Sequence, residues 1–176
     1  MKALILPPLT RFAKDAEAFA RVVHEGQVDK AGRPYVEHLE RVADRVNRFL
    51  WENGHTMASP LFMDAMQIAW LHDVIEDTDY TAMDLAQEGF TDPVLEAVEW
   101  LTRDGRSCRR YPRYQDWIGW LADYGSPAAR IVKLADVEDN SDPERLALLD
   151  EATRARLERK YEPARERLQA AIAERR

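Results

Sequence analysis

The sequence has almost no cysteine, few helix-breaking residues and no long apolar run. Its one cysteine, Cys108, excludes an intramolecular disulfide framework and a cysteine-rich zinc module, so a metal site must use histidine and carboxylate ligands. Only 7 glycines and 9 prolines exclude collagen-like and low-complexity chains. Charged residues interrupt the apolar segments, and the opening MKALILPPLT is too short for a signal sequence. These scarcities favour a cytoplasmic globular protein.

Basic residues are also fewer than acidic ones. The 25 lysines and arginines are outnumbered by 32 acidic residues, which gives a net charge of -7. This balance argues against general nucleic-acid binding, because such affinity comes from neutralising phosphates. We therefore expect no nucleic-acid or membrane partner, and a small anionic substrate would need a metal ion or a local group of cations.

The apolar pattern predicts an all-α protein, and the length of 176 residues fits one domain over residues 1–176. Apolar residues recur at three- and four-residue spacing, and alternating strand patterns are absent. We predict about seven or eight helices, with one running from Ser59–Pro60 through Ile75. Other predicted starts are at Thr81, Asp92, Pro112 and Ser126. A charged last helix over 150–175 should pack through Leu157, Tyr161, Leu168 and Ile172, with a kink expected at Pro163.

Four ionisable residues lie close together in an otherwise apolar predicted helix. His72 and Glu76 are four residues apart, as are Asp73 and Asp77, so each pair would share a face of a continuous helix. Burying that polarity without partners would cost several kcal/mol, on the order given for unpaired polar groups. Metal coordination or mutual hydrogen bonding would remove the cost, whereas solvated acids at a helix end are the plainer alternative.

Two further segments favour the metal interpretation. Asp136 and Asn140 share a face of a helix that turns abruptly acidic, and His38 lies near the start of a helix after a loop. Two imidazoles and two carboxylates from three helices suit Mn, Fe, Zn or Ni, with positions left for water or substrate. Lys30, in the loop before His38, would supply a point charge for a phosphate group.

These segments resemble the metal-dependent HD phosphohydrolases, specifically the hydrolase domain of the RelA/SpoT alarmone enzymes. The resemblance covers about residues 12–140 and lies in HEGQ (24–27), GRPYVEH (32–38), LHDVIEDT (71–78), LTR (101–103) and KLADVEDN (133–140). It implies an HD-type helical domain that removes the 3′-diphosphate of guanosine 3′,5′-bis(diphosphate), ppGpp. Because 176 residues leave no room for a synthetase domain, we expect a small stand-alone alarmone hydrolase.

The resemblance also implies a role for each matching residue. His38, His72, Asp73 and Asp136 would hold one divalent metal ion, usually Mn²⁺. Glu76 and Asp77 would orient or deprotonate the attacking water, and Asn140 would contact the sugar. His24 also matches a family position, but on an apolar helix face we expect it to be a hydrogen-bonded core residue.

Four positions depart from the family pattern. Asp29 replaces a usual basic residue and Ala31 a usual serine, both of which help to hold the purine nucleotide in the family. Val137 replaces another basic residue, and Asp139 lies where histidine or another less acidic group is common. An acid at position 29 would not stack on a base and would repel a nearby phosphate.

These departures leave the substrate open. The alternatives are another nucleotide, such as an adenosine alarmone, a dinucleotide phosphate or a nucleoside monophosphate, and a nucleotide-binding module without turnover. Residues 103–114 carry five arginines and two tyrosines, which indicates either a mobile phosphate-gripping loop or a solvated surface. Cys108 within this segment has no recognisable partner for nucleophilic chemistry. The oligomeric state stays open.

Overall fold

The computed structural model describes residues 11–174, which form helices joined by turns. Within this range there is no β-sheet, and Val28 and Pro34 form an isolated bridge. The segment MKALILPPLT and the end of the predicted last helix at residue 175 lie outside the described residues. The helices are α1 (Ala13–Val23), α2 (Val36–Glu52), α3 (Pro60–Leu71), α4 (Val74–Asp77), α5 (Ala82–Gln87), α6 (Asp92–Leu101), α7 (Gly105–Arg110), α8 (Tyr114–Tyr124), α9 (Pro127–Asn140), α10 (Pro143–Leu146) and α11 (Glu151–Ala173).

Local capping residues account for several helix starts. The Ser59 hydroxyl accepts from the Phe62 amide, and Ser126 accepts from Ala129, each directly before a proline at the first helical position. Thr81 and Asp84 form the reciprocal capping box that their spacing predicts. The structure is all-α, as predicted, and these helices begin at the predicted capping residues.

Two helices form the centre of the packing. Helix α9 is buried over most of its length and contacts α2, α3, α6, α8 and α11. Helix α3 packs against α1, α2, α6 and α9, so the two central helices share a common apolar core. The ends of α3 and α9 carry the acidic segments singled out in the sequence, which brings those segments together.

The continuous helix predicted through Ile75 is wrong. Helix α3 ends at Leu71 and α4 begins at Val74, so His72 and Asp73 lie in the break. The imidazole Nδ1 of His72 lies 2.8 Å from the carbonyl of Ala69, which an uninterrupted helix would pair with the amide of Asp73. The histidine side chain thus replaces a backbone donor at the point where the helix stops.

The count of about seven or eight helices is too low for residues 11–174. The short helices α4, α7 and α10 were not predicted as separate elements, because four to six residues show too little periodicity to be recognised. Helix α11 continues through Pro163. No helix among the described residues has the length and apolar character needed to span a membrane.

Candidate active site

A cavity of about 350 Å³ opens beside the ends of α3 and α9. The loop before α2, helices α8 and α9, and helix α11 all supply lining residues. All but one of the eight residues singled out in the sequence line this cavity; His72 is buried beside it. The lining members of that set are Lys30, His38, Asp73, Glu76, Asp77, Asp136 and Asn140.

Two histidines and two carboxylates converge at the base of the cavity. Ligand atoms of His38, His72 and Asp73 all lie within 4.8 Å of one another. The Asp136 Oδ1 atom is 3.4 Å from His38 Nε2 and 3.8 Å from His72 Nε2. The structure therefore brings together all four residues that the family resemblance implies as metal ligands.

The two imidazoles are held by hydrogen bonds at their Nδ1 atoms. His38 Nδ1 lies 2.7 Å from an Asp139 carboxylate oxygen, and His72 Nδ1 faces the Ala69 carbonyl. Because both partners only accept, each Nδ1 carries a proton and each Nε2 is directed to the carboxylates.

The donor set fits a divalent metal ion. His72 Nε2 is buried and forms no hydrogen bond with a described residue, although it lies 3.0 Å from Asp73 Oδ2. A nitrogen lone pair close to a carboxylate oxygen is repulsive unless a cation or a proton lies between them. The mixed nitrogen and oxygen ligands suit a first-row divalent ion.

The local charges keep the two aspartates ionised. Burial opposes ionisation of Asp136, but Lys133, whose Nζ lies 2.8 Å from Asp136 Oδ2, acts together with His38 and His72 to lower the pKa. Burial also opposes ionisation of Asp73, and the adjacent His72 and His38 lower the pKa well below its usual range. The Tyr35 hydroxyl donates to Asp73 as well. Carboxylates held ionised in this way are prepared to bind a cation.

Glu76 and Asp77 lie at the open side of the cavity. Removal of water by the surrounding protein raises the pKa of both carboxyl groups, and for Asp77 the negative charge of Asp73 adds to the increase. A Glu76 carboxylate oxygen accepts a hydrogen bond of 2.8 Å from the amide of Arg103. A carboxylate with raised pKa, held by one oxygen, can accept a proton with the other.

Lys30 and Asn140 differ in their surroundings. Lys30 is exposed in the loop before α2 and forms no ion pair with a described carboxylate. The Asn140 amide donates to Asp136 Oδ1, so this predicted sugar contact also holds a candidate metal ligand.

Helix α11 supplies cavity residues that the sequence did not reveal. Lys160 Nζ lies 4.3 Å from the ring centre of Tyr114 and 4.7 Å from that of Tyr161. Burial lowers the pKa of Lys160 to about 8, and Lys133 and Lys30 contribute in the same direction. Tyr161 was predicted only as a packing residue, because a Lys–Tyr pair in a charged helix carries no distinctive pattern.

The arginine-rich segment divides into one cavity residue and an exposed remainder. Arg103 lines the cavity, and its guanidinium donates to the carbonyls of Tyr111 and Pro112. The other four arginines are exposed, on the short helix α7 and just after it, and Cys108 is half-buried. A single loop gripping phosphate with all its arginines is therefore not the arrangement in this structure.

The positions that depart from the family pattern have well-defined partners. Asp29 Oδ1 accepts from the amides of Ala31 and Arg33, and its Oδ2 lies 2.9 Å from the Arg145 guanidinium. Val137 is fully buried in α9. The Asp29 charge is thus neutralised by Arg145.

His24 lies near the site without joining the ligand set. It is buried, its Nδ1 is 2.7 Å from the Gln27 amide oxygen, and its ring stacks on Tyr35 at 5.1 Å. These contacts agree with the structural role expected for it.

Comparisons with known proteins agree with the resemblance seen in the motifs. No family model matches the chain. Three curated relatives are named guanosine-3′,5′-bis(diphosphate) 3′-pyrophosphohydrolase. The mouse protein, MESH1, is 34% identical over 69% of this chain and 63% of its own length. The Aquifex aeolicus protein is 30% identical over 71% of this chain and 16% of its own length, and the Haemophilus influenzae protein 37% over 48% and 11%.

The aligned region therefore spans a small part of the bacterial relatives and less than two thirds of the mouse protein. A solved structure, described as a metazoan ortholog of SpoT that hydrolyzes ppGpp, shares the fold. Its TM-score is 0.65 at 23% sequence identity, and the match covers 97% of this chain and 98% of that structure. The chain thus has the all-α fold of this SpoT-related structure and is similar in sequence to the RelA/SpoT-type 3′-pyrophosphohydrolases.

Proposed function

We propose that this protein is a divalent-metal-dependent hydrolase that removes the 3′-diphosphate of ppGpp. The carrying observation is the convergence of four metal-type ligands at the base of a cavity edged by Glu76 and Asp77; among them, His72 Nε2 forms no hydrogen bond with a described residue. Similarity to the 3′-pyrophosphohydrolases supports the choice of reaction and substrate. Water would attack phosphorus, and the bond to the 3′-oxygen would break to release pyrophosphate.

His38, His72, Asp73 and Asp136 would hold the metal ion, for which we propose Mn²⁺ first. When bound, the ion would lower the pKa of a coordinated water and neutralise phosphate oxygens. Hydrolysis of a phosphate ester needs charge stabilisation more than covalent help from the protein, which matches this set of side chains.

Glu76 is our candidate for the proton acceptor. The amide of Arg103 fixes one carboxylate oxygen, and the raised pKa brings the group closer to a working range at neutral pH. Asp77 would orient the same water from the adjacent position. Neither residue belongs to the ligand set, so loss of either should affect turnover more than metal binding.

The remaining cations would hold the substrate. Lys30, Lys160 and Arg103 reach the cavity from three different segments, and Lys133 lies deeper, beside Asp136. Cations from several segments of one cavity suit a nucleotide that carries two diphosphate groups. Tyr114 and Tyr161 would provide flat apolar surface beside Lys160.

One observation favours a second candidate substrate. Asp29 replaces the family's basic residue, and its carboxylate is engaged by Arg145 and two loop amides, so no cation stacks on a base from this position. The same metal site could then act on another nucleotide, such as an adenosine alarmone or a dinucleotide phosphate.

A product assay tests both candidates. Metal-stripped protein is incubated with Mn²⁺ and ppGpp, with adenosine alarmones, dinucleotide phosphates and ordinary nucleotides alongside, and samples without added metal serve as the control. Pyrophosphate from ppGpp supports the first candidate, whereas much faster turnover of another compound establishes the second. Tight nucleotide binding without any product would contradict both and favour a binding module.

A further inference from the structure

A fully buried carboxylate lies behind the candidate metal ligand His38. Asp139 of α9 has no exposed surface, and its Oδ2 is 2.7 Å from His38 Nδ1. Its Oδ1 accepts from Arg41 Nε at 2.7 Å, and the Arg145 guanidinium donates to Oδ2. Two arginines therefore compensate the cost of burying this charge, and the imidazole receives a strong acceptor.

This contact decides which His38 nitrogen is available. An ionised carboxylate only accepts hydrogen bonds, so Asp139 keeps the proton of a neutral imidazole on Nδ1. The lone pair of Nε2 then faces Asp136 at 3.4 Å and Asp73 at 3.6 Å. With the opposite tautomer, Nε2 would carry a hydrogen and could not bind a metal ion.

Arg145 connects Asp139 with the loop before α2. One terminal nitrogen of its guanidinium contacts Asp139, and the other lies 2.9 Å from Asp29 Oδ2. Asp29 in turn accepts from two amides of its own loop. Both acids were singled out as departures from the family pattern, and the structure joins them through one arginine.

We propose that Asp139 is a positioning residue that holds His38 with Nε2 toward the metal site, and that Arg145 links it to the Asp29 loop. The inference rests on the proposed metal site but not on the identity of the substrate. A network that only stabilised the fold would leave the tautomer of His38 and the metal affinity independent of Asp139.

The first test needs no variant. The ¹⁵N shifts of the His38 ring are measured in protein loaded with Zn²⁺, which is diamagnetic. We expect a protonated Nδ1 and a metal-bound Nε2. A protonated Nε2, or a metal ion bound through Nδ1, would overturn the proposal.

The second test is Asp139→Asn, which removes the charge but keeps the shape. A neutral amide oxygen is a weaker acceptor than a carboxylate, and Arg41 and Arg145 would share it with His38, so the proton would be held less firmly on Nδ1 and the tautomer protonated on Nε2 would gain population. We expect the ring signals to report this change and Zn²⁺ affinity to fall about 10- to 100-fold, as for other lost partners of metal-bound histidines.

Asp142→Asn is the matched control. Asp142 follows α9, and its carboxylate pairs with Arg45 of α2 at 2.8 Å without contacting a histidine. We expect unchanged His38 shifts and unchanged Zn²⁺ affinity. Equal effects of the two substitutions would reduce Asp139 to a structural role and overturn the proposal.

Arg145→Gln gives an independent measurement if Asp139→Asn does not fold. It leaves Asp139 with Arg41 and His38, so we expect the tautomer to be kept and the affinity to fall less than in Asp139→Asn. A change of tautomer in this variant would contradict the assignment to Asp139. Failure of ppGpp hydrolysis would leave these results intact, whereas wild-type protein that binds no Zn²⁺ would overturn both proposals.

Discussion

The two sides of the cavity differ in how their side chains are held. At the base, His38, His72 and Asp136 are buried, and each has a fixed hydrogen-bond partner. On the outer side, Lys30 is exposed and Lys160 lies against two tyrosine rings without a carboxylate partner. The side chains at the base are held in place for metal binding, whereas the lysines on the outer side can reorient when a ligand binds.

The largest expected effect tests the base. His72→Ala removes the nitrogen that forms no hydrogen bond with a described residue. Loss of a residue that only hydrogen-bonds a metal ligand lowers metal affinity by up to about 100-fold, and we expect Zn²⁺ or Mn²⁺ affinity to fall further than that. Hydrolysis should disappear with it. Calorimetric titration with metal measures the loss, and His55→Ala, which changes a histidine beyond the opposite end of α2 from His38, should bind as the wild type does. Retained affinity in His72→Ala would contradict the ligand assignment.

Glu76 lies at the boundary between the two sides of the cavity, and Glu76→Gln distinguishes a loss of turnover from a loss of metal binding. We expect kcat to fall about 10²- to 10⁴-fold, the range for loss of a general base, because an amide cannot accept the proton. Metal affinity should stay unchanged, since Glu76 is outside the ligand set. Steady-state kinetics and metal titration on the same preparation check this, and parallel loss of both would overturn the assigned role.

Lys160→Gln tests the outer side. A charge-assisted hydrogen bond contributes about 1.5–3 kcal/mol, so we expect KM to rise about 10-fold or more with little change in kcat. In the wild type the pKa of Lys160 is lowered to about 8. The cation is present below that pH and is lost as pH rises through it, so KM should increase above pH 8.

The pH profile provides the control for this prediction. In Lys160→Gln the rise of KM above pH 8 should be absent, because the titrating cation has been removed. Lys160→Arg should restore a low KM that no longer depends on pH in this range. An unchanged KM in Lys160→Gln would place the substrate away from α11.

The smallest expected effect concerns the exposed arginines. The Arg106 side chain is 88% exposed and pairs with Asp104, also at the surface. We expect Arg106→Ala to change kcat/KM by less than about twofold, as is usual for surface substitutions. A much larger loss would indicate that the exposed part of residues 103–114 binds the substrate.

Patterns within single segments could be read from the sequence. Ser59–Pro60, Ser126–Pro127 and the Thr81–Asp84 pair mark helix starts because capping involves residues only a few positions apart. The acidic ends of two apolar helices indicated the site for the same reason. Residues 71–78 and 133–140 carry enough polarity in few positions to require a common explanation.

The break at His72–Asp73 depends on the geometry of a single side chain. Its spacing is compatible with a continuous helix, and the contact between the imidazole and the Ala69 carbonyl at the break is seen only in the structure. Lys160 likewise looks like any lysine of a charged helix until α11 packs against α8 and α9.

The sequence by itself determined the all-α class, the capping of several helices and the two acidic segments of the site, because each is encoded in spacing along the chain, and the family resemblance implied which residues would bind metal. Only the tertiary structure decided the partners of Asp29 and Asp139. Arg145 lies 116 residues from Asp29, and Asp139 lies 101 residues from His38. Contacts over such distances form only when the helices pack, and they turn two isolated acids into one network behind the candidate metal site.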